Sequence, residues 1–252
     1  MTDLSPVAAV ERRIDVLRAL DGAPDSKVGV AARVDVSRST AERAVHELAT
    51  HGFVASSDDG YRVTISGRLA LDAHGQRAER IDAAAAVAPM FDDVSLSFDL
   101  DPVVLDGARV VEVQPHAPTR PVECMLALIE DATHISVYAG RFLSRHSHRY
   151  HDRVIDGMTG TFVAAAPVIE RQRATRPEDM REAIDRGHVA VRCTDRDDPV
   201  TFILAETPTG PEVGLVVYRD ESPRGFLGTD DPAATRWARS IYERLWTAAT
   251  AV

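Results

Sequence analysis

Between positions 141 and 153 the chain crowds His146, His148 and His151 beside Asp152, with Arg141, Arg145, Arg149 and Arg153 interleaved. His148 and His151 are spaced i, i+3, so they would share one face of a helix, a spacing a transition metal can bridge. No Cys and no second carboxylate is close in sequence, so no metal is expected, and the plainer reading is a basic, solvated helix. Phosphodiester hydrolysis by a nucleophilic histidine needs a lysine two residues on, because that cation neutralises the phosphoryl oxygens during attack. Lys27 is the sole lysine and lies far from these histidines. His116, His134 and His188 have no basic residue at the required offset. His151-Asp152-Arg153 has the spacing, yet it sits in a helix-like stretch and lacks the Asp pattern that should follow. No catalytic residue and no cofactor are expected.

A second cluster suits recognition rather than catalysis. Ser37, Arg38, Ser39, Thr40, Arg43, His46 and Glu47 fall opposite an apolar stripe of Ala41, Ala44, Val45 and Leu48 at i, i+3, i+4, i+7. Hydroxyls at a helix start can reach phosphates, and an arginine can bridge O6 and N7 of a guanine. Double-stranded DNA is the partner these side chains fit.

The elements around this cluster follow from local signals. Ser5-Pro6 starts a helix whose Val10, Ile14, Leu17 and Leu20 form one stripe, and Gly22-Ala23-Pro24 stops it. Asp25 or Ser26 can cap a short helix carrying Val28, Ala31, Ala32 and Val34. Asp35-Val36-Ser37 is a tight turn into the next helix, with Ser37 as cap, Ser39 and Glu42 as a competing capping box, and Gly52 as the left-handed stop. Two helices across a short turn make a helix-turn-helix. Phe53–Ala55 and Tyr61–Val63 flank Asp58-Asp59-Gly60, a hairpin signal, so a wing is expected. Asp58 and Asp59 would repel phosphates, which makes Tyr61 and Arg62 the better contacts on the wing. Thr64 or Ser66 then caps a fourth helix running toward Ile81.

Beyond Asp106 strand-like and helix-like runs alternate. Val110–Val113, Ile135–Ala139, Thr161–Ala165 and Val189–Cys193 read as strands, with helices over Val122–Glu130, Phe142–Ile155 and Glu178–Asp185. Ile184 and Met180 are expected inward. Thr201–Ala205, Val213–Tyr218 and Gly225–Leu227 follow as strands, and a last amphipathic helix runs through Trp237, Ile241 and Leu245. The order implies a mixed sheet, parallel in its first half, with helices packed on it. The fold class is therefore α+β / α/β: a winged helix-turn-helix over 1–81, a connector over 82–108 with a short helix after Asp101, and a mixed-sheet α/β domain over 109–252.

Charge is distributed unevenly. The 252 residues carry a formal net charge of −10, but positions 1–80 hold eleven basic and twelve acidic residues, a net of −1. The acidic surplus belongs to the second part of the chain. One lysine stands against twenty-eight arginines, and twenty-five aspartates against fourteen glutamates. A cytosol of molar salt favours this bias, and a GC-rich genome also exchanges Lys for Arg. High salt would weaken phosphate contacts, leaving Arg38 and Arg43 to matter more as base readers than as charges. Cys124 and Cys193 sit in apolar segments, as small buried hydrophobes do. No leader and no membrane span is expected, so the expected location is cytoplasmic.

Val36-Ser37-Arg38-Ser39-Thr40, Arg43 through Leu48 and His51-Gly52-Phe53-Val54 resemble the winged helix of archaeal, haloarchaeal-type transcription regulators. Pro115 through Pro121, Gly214 through Tyr218, Asp230 through Ala234 and Trp237 through Arg244 are similar to the sensor domain of methanogenesis-regulator-type and TrmB-like proteins. That resemblance implies a dimeric regulator whose second domain is related to degenerate phospholipase-D-like folds. The expected function is a sequence-specific DNA-binding regulator, a homodimer, with an effector-sensing or dimerisation domain. An anion or small-molecule effector site near the carboxyl ends of the first strands would use Arg141, His148, Tyr150 and His151. The competing reading is a phosphodiesterase or metal-dependent hydrolase with an accessory winged helix.

Overall fold

Three serines start the first three helices. A computed structural model describes residues 5–141, 147–175 and 177–252, which fall into two compact units, Met1–Glu79 and Arg80–Val252. The expected helix start at Phe142, together with Arg145, His146 and the Met180 side chain, lies outside the described structure.

In the first unit α1 spans Pro6–Ala19, α2 Lys27–Arg33 and α3 Arg38–Thr50. Ser5 accepts from the Ala8 amide at 3.3 Å, Ser26 from Gly29 at 3.1 Å and Ser37 from Thr40 at 3.2 Å. Each hydroxyl thus satisfies one of the amides a helix start leaves without a partner. Ser26, not Asp25, caps α2. Gly52 ends α3 at φ +75°, as a left-handed cap requires. In α2, Val30 and Ala31 face the core while Val28 is 57% exposed, so the seven-residue helix turns a different edge inward than Val28 and Ala32 implied.

The wing is β1, Val54–Ser57, antiparallel to β2, Gly60–Val63. Asp25 joins it through a two-way backbone pair with Tyr61, at 3.0 and 2.9 Å. That pair ties the α1–α2 connection to the hairpin. Thr64 caps the next helix, α4, through the Gly67 amide at 3.0 Å. Gly67 has no alternative there, since a Cβ would lie 2.1 Å from the Phe53 carbonyl oxygen. α4 runs Ile65–Phe91, ten residues beyond the expected end near Ile81. Ala83 through Ala86 are the strongest helix formers, and the only proline, Pro89, falls in the last turn.

The second unit is an eight-stranded sheet of order β10-β6-β5-β4-β7-β8-β9-β3. Its strands are β3 Arg109–Glu112, β4 His134–Ala139, β5 Thr159–Ala165, β6 Val189–Thr194, β7 Val200–Thr207, β8 Gly210–Arg219, β9 Ser222–Thr229 and β10 Thr250–Ala251. Among the described residues only β4, β5 and β6 are parallel neighbours. β7, β8 and β9 form an antiparallel meander continuing from β4. The expected parallel first half therefore begins one strand later: β3 lies at the far edge, antiparallel to β9. Its exposed Arg109 and Glu112 suit an edge and not a doubly buried parallel position.

Alternation along the strands divides the apolar residues between two faces. Ile135, Val137, Ile203, Val216 and Phe226 face a layer made by α5 Arg120–Glu130, α6 Ser147–Ile155, α7 Ala166–Thr175 and α8 Pro177–Asp185. Tyr138, Val163, Phe202, Leu215 and Leu227 face α9 Pro232–Ala248 and the stretch from Val87 to Val110. Asp101 caps a short 3₁₀ turn, Pro102–Leu105, within that stretch. α7 has no counterpart in the sequence reading. Cys124 and Cys193 are free, half-buried, and packed against the first layer.

One buried carboxylate pins the segment before that turn to the sheet. Asp198, 4% exposed, accepts from the Ser97 amide at 2.5 Å, the Ser97 hydroxyl at 2.6 Å and the Tyr138 hydroxyl. Burial and the Asp198 charge both raise the pKa of that phenol, so it stays a neutral donor. Replacing Asp198 by Ala leaves the buried Tyr138 hydroxyl unpaired and releases Ser97, and should cost about 2 kcal/mol in urea unfolding. Asp197→Ala, which removes only the exposed ion pair to Arg141, should cost less than about 1 kcal/mol.

Candidate nucleic-acid interface

Burial sets the rotation of α3. Ala41, Ala44, Val45 and Leu48 are at most 1% exposed, which leaves Arg38, Ser39, Arg43 and His46 exposed on the opposite side. Ser37 is the hub of the N-terminal hydroxyls: its Oγ lies 3.0 Å from that of Ser39 and 2.8 Å from that of Thr40. The cluster braces the first turn while Arg38 projects from the first helical position. Arg43 leans back along the helix, its Nε donating to the Ser39 carbonyl at 3.3 Å. His46 lies a turn further along. Glu47 does not share this face, since it is half-buried and accepts from Arg13 of α1 at 2.8 Å.

Lys27 and Glu42 form a pair across α2 and α3 at 2.5 Å. The hydrogen bond to Glu42 raises the lysine's pKa, and the same bond lowers that of Glu42, so both are charged near neutrality. The Lys27 ammonium also sits 5.6 Å from the centre of the Tyr61 ring. Tyr61 is half-buried against the core, whereas Arg62, next along β2, is exposed. The wing tip carries exposed Asp58 and Asp59. Neither the Lys27–Glu42–Tyr61 arrangement nor the Arg13–Glu47 pair has a local signature, because each joins residues 15 to 34 positions apart.

The four residues expected at an effector site do not assemble together. Arg141 follows β4 and pairs with Asp197. His148 is exposed on α6. Tyr150 and His151 do converge, on an apolar cavity of about 120 Å³ between β4, β5 and β6 and the helices α6 to α8. Gln172 of α7 and Ala183 of α8 also line it. Sequence reasoning missed Gln172 because it lies in the polar run Glu170-Arg171-Gln172-Arg173, where nothing marks one side chain as inward.

Arg153, the cation at the right offset from His151, is turned away toward α5. It donates to the Ile129 and Ala132 carbonyls at 3.1 and 3.0 Å, holding the end of that helix. His188 lies against the Val154 carbonyl and His134 against Thr159. Among the described residues no group of three or more His, Cys, Asp or Glu side chains is placed to hold a metal. Among them, too, no helix is long and apolar enough to cross a membrane.

Two sequence families match. The HVO_A0261 N-terminal domain covers residues 1–86, and the methanogenesis regulatory protein FilR1, middle domain, covers residues 118–248. No curated protein matches the chain. Among solved structures it is similar to TrmBL2, an archaeal chromatin protein, at 12% identity, covering 98% of each chain with a TM-score of 0.46. It is also similar to Nuc, a phospholipase D family member from Salmonella typhimurium, at 15% identity over 57% of this chain and 98% of that one, TM-score 0.41. NucT from Helicobacter pylori follows at 11% identity over 57% and 99%, TM-score 0.40. These are distant likenesses, and nothing about function rests on them. With more than half of its length matched by one family, and its first unit by another, the chain belongs to the family of the FilR1 middle domain, a domain of a methanogenesis regulatory protein.

Proposed function

We propose that this protein is a sequence-specific transcription regulator that binds double-stranded DNA as a homodimer, with the second unit sensing a small molecule or joining the two copies. The observation that carries the reading is the exposed face of α3, where Arg38, Ser39, Arg43 and His46 stand on a helix whose other side is wholly buried. A major groove is wide enough for such a helix. Arg43 and Arg38 would read guanine edges, while Ser39, Thr40 and the first free amides of α3 would meet phosphates. Arg62 would add a contact from the wing, and Asp58 and Asp59 keep the wing tip off the backbone. Membership in a family named for a regulatory protein supports the regulatory half of the reading.

Low charge shapes how such a protein would bind. With eleven basic and twelve acidic residues in positions 1–80, few phosphates are neutralised, so affinity should fall only gently with salt. Specificity then rests on base edges and DNA shape. Ile65 and Leu69, one turn apart on α4, are 78% and 66% exposed, which supports this face of α4 as the surface a second copy covers. Movement along α4 would be the route by which the second unit alters the spacing of two recognition helices.

Arg43→Ala should lower affinity for the specific site about tenfold or more, the value of a bidentate guanine contact. Its unfolding free energy should change by less than about 0.5 kcal/mol. A shift assay at high salt against a promoter fragment selected from the source genome checks this, and unchanged affinity would remove α3 as the reader. Leu69→Asp should convert a dimer to a monomer in sedimentation equilibrium; a dimer mass that persists moves the interface off α4.

A further inference from the structure

On the α9 side of the sheet, Arg196 and Arg244 line a cleft of about 300 Å³ together with residues 96–99 of the segment that follows α4. That volume lies at the lower end of the range for small-ligand sites. The segment is firmly held: Asp198 fixes Ser97, and the Phe98 ring stands edge-on to Tyr138 at 6.1 Å between centroids. Arg196 reaches it from the turn after β6, its Nη1 donating to the Ser97 carbonyl at 2.9 Å and to the Ser97 hydroxyl at 2.6 Å. The other guanidinium nitrogens of Arg196 have no partner among the described residues. Arg244, between Ile241 and Leu245 on α9, makes no hydrogen bond, ion pair or ring contact among them. Other arginines of this acidic unit are paired, Arg239 with Glu206, Arg171 with Glu221 and Arg80 with Asp106. Two like charges on one cleft repel each other, yet Asp99, which also lines it, pairs with neither.

We propose that this cleft is a binding site for a small organic acid, a hydrocarbon body bearing one carboxylate. A guanidinium is a planar fork that matches the two oxygens of a carboxylate. Ser97 already orients Arg196, so less side-chain freedom is lost when an anion arrives. The lining charges, two arginines against Asp99, sum to +1. A monoanion neutralises that charge, whereas a phosphate monoester near its dianionic form exceeds it and meets Asp99 as a like charge. Leu96, Phe98, Ile241 and Leu245 supply an apolar wall for the hydrocarbon body. Occupancy would tie α9, through Arg244, to the segment that Arg196 holds and that continues directly from α4. The proposal deepens the reading of the second unit as a sensor and rests on it only for the consequence, not for the binding.

The full-length protein is titrated by calorimetry with benzoate, phenyl phosphate and benzyl alcohol at one fixed ionic strength, since salt screens exposed charges. Benzoate should bind, phenyl phosphate should bind more weakly, and benzyl alcohol should not bind. Arg244→Gln should weaken benzoate about tenfold or more, the value of a hydrogen bond to a charged group, while circular dichroism reports an intact fold. Arg196→Gln should weaken it as much. Arg236→Gln, about two turns away on the same helix and also exposed, should leave benzoate affinity unchanged. Absence of benzoate binding at millimolar concentration, equal affinity in Arg244→Gln, or an equal loss in Arg236→Gln overturns the site. Tighter binding of phenyl phosphate than of benzoate overturns the carboxylate class. Operator affinity is measured in the same samples. Benzoate binding with no effect on operator affinity retains the site and overturns the sensing reading, and failure of DNA binding both with and without benzoate overturns the DNA reading alone.

Discussion

The burial of one side of α3 is the constraint on which the rest of the first unit depends. Ala41, Ala44, Val45 and Leu48 lock the helix in rotation against Val16, Leu17, Leu20 and Val30. A helix free to roll by a third of a turn would carry Arg38 and Arg43 off the exposed face together. The Ser37 cap and the left-handed Gly52 fix its two ends. The Asp25–Tyr61 backbone pair keeps the wing beside it. The exposure of the polar face is a by-product of packing, because the apolar face has no alternative but the core.

Charge works differently in this protein from what a DNA-binding module usually implies. Lys27 is paired with Glu42, Arg13 with Glu47, and Arg33 with Asp25, so several cations of the first unit serve internal geometry. Arg38, Arg43 and Arg62 remain on the exposed surface. With a net charge of −1 over positions 1–80, the first unit offers directional arginine contacts of short range and little net charge.

In the second unit the central strands β4, β7 and β8 are buried on both faces along most of their length. Alternation sends neighbouring side chains to different layers, and a single carboxylate, Asp198, anchors Ser97 to the strand carrying Tyr138. The parallel strands β4 to β6 are covered by three short helices, the arrangement that leaves a cavity.

Local chemistry alone determined much of this. The caps at Ser5 and Ser37, the turn at Asp35, the stop at Gly52, the hairpin and the apolar stripe of α3 each depend on residues within a few positions, where sterics and hydrogen bonding act directly. The exposed face of α3 was legible for the same reason. The placement of β3 at the far edge, the presence of α7 and the meeting of Asp198 with Ser97 and Tyr138 were decided by the tertiary structure. Those features depend on which distant segments become neighbours. Hydrophobic periodicity states that a residue will be buried, but the free energy of burial is nearly indifferent to the partner. Only the competition among strands for hydrogen-bonded edges, and among helices for the same sheet face, selects one.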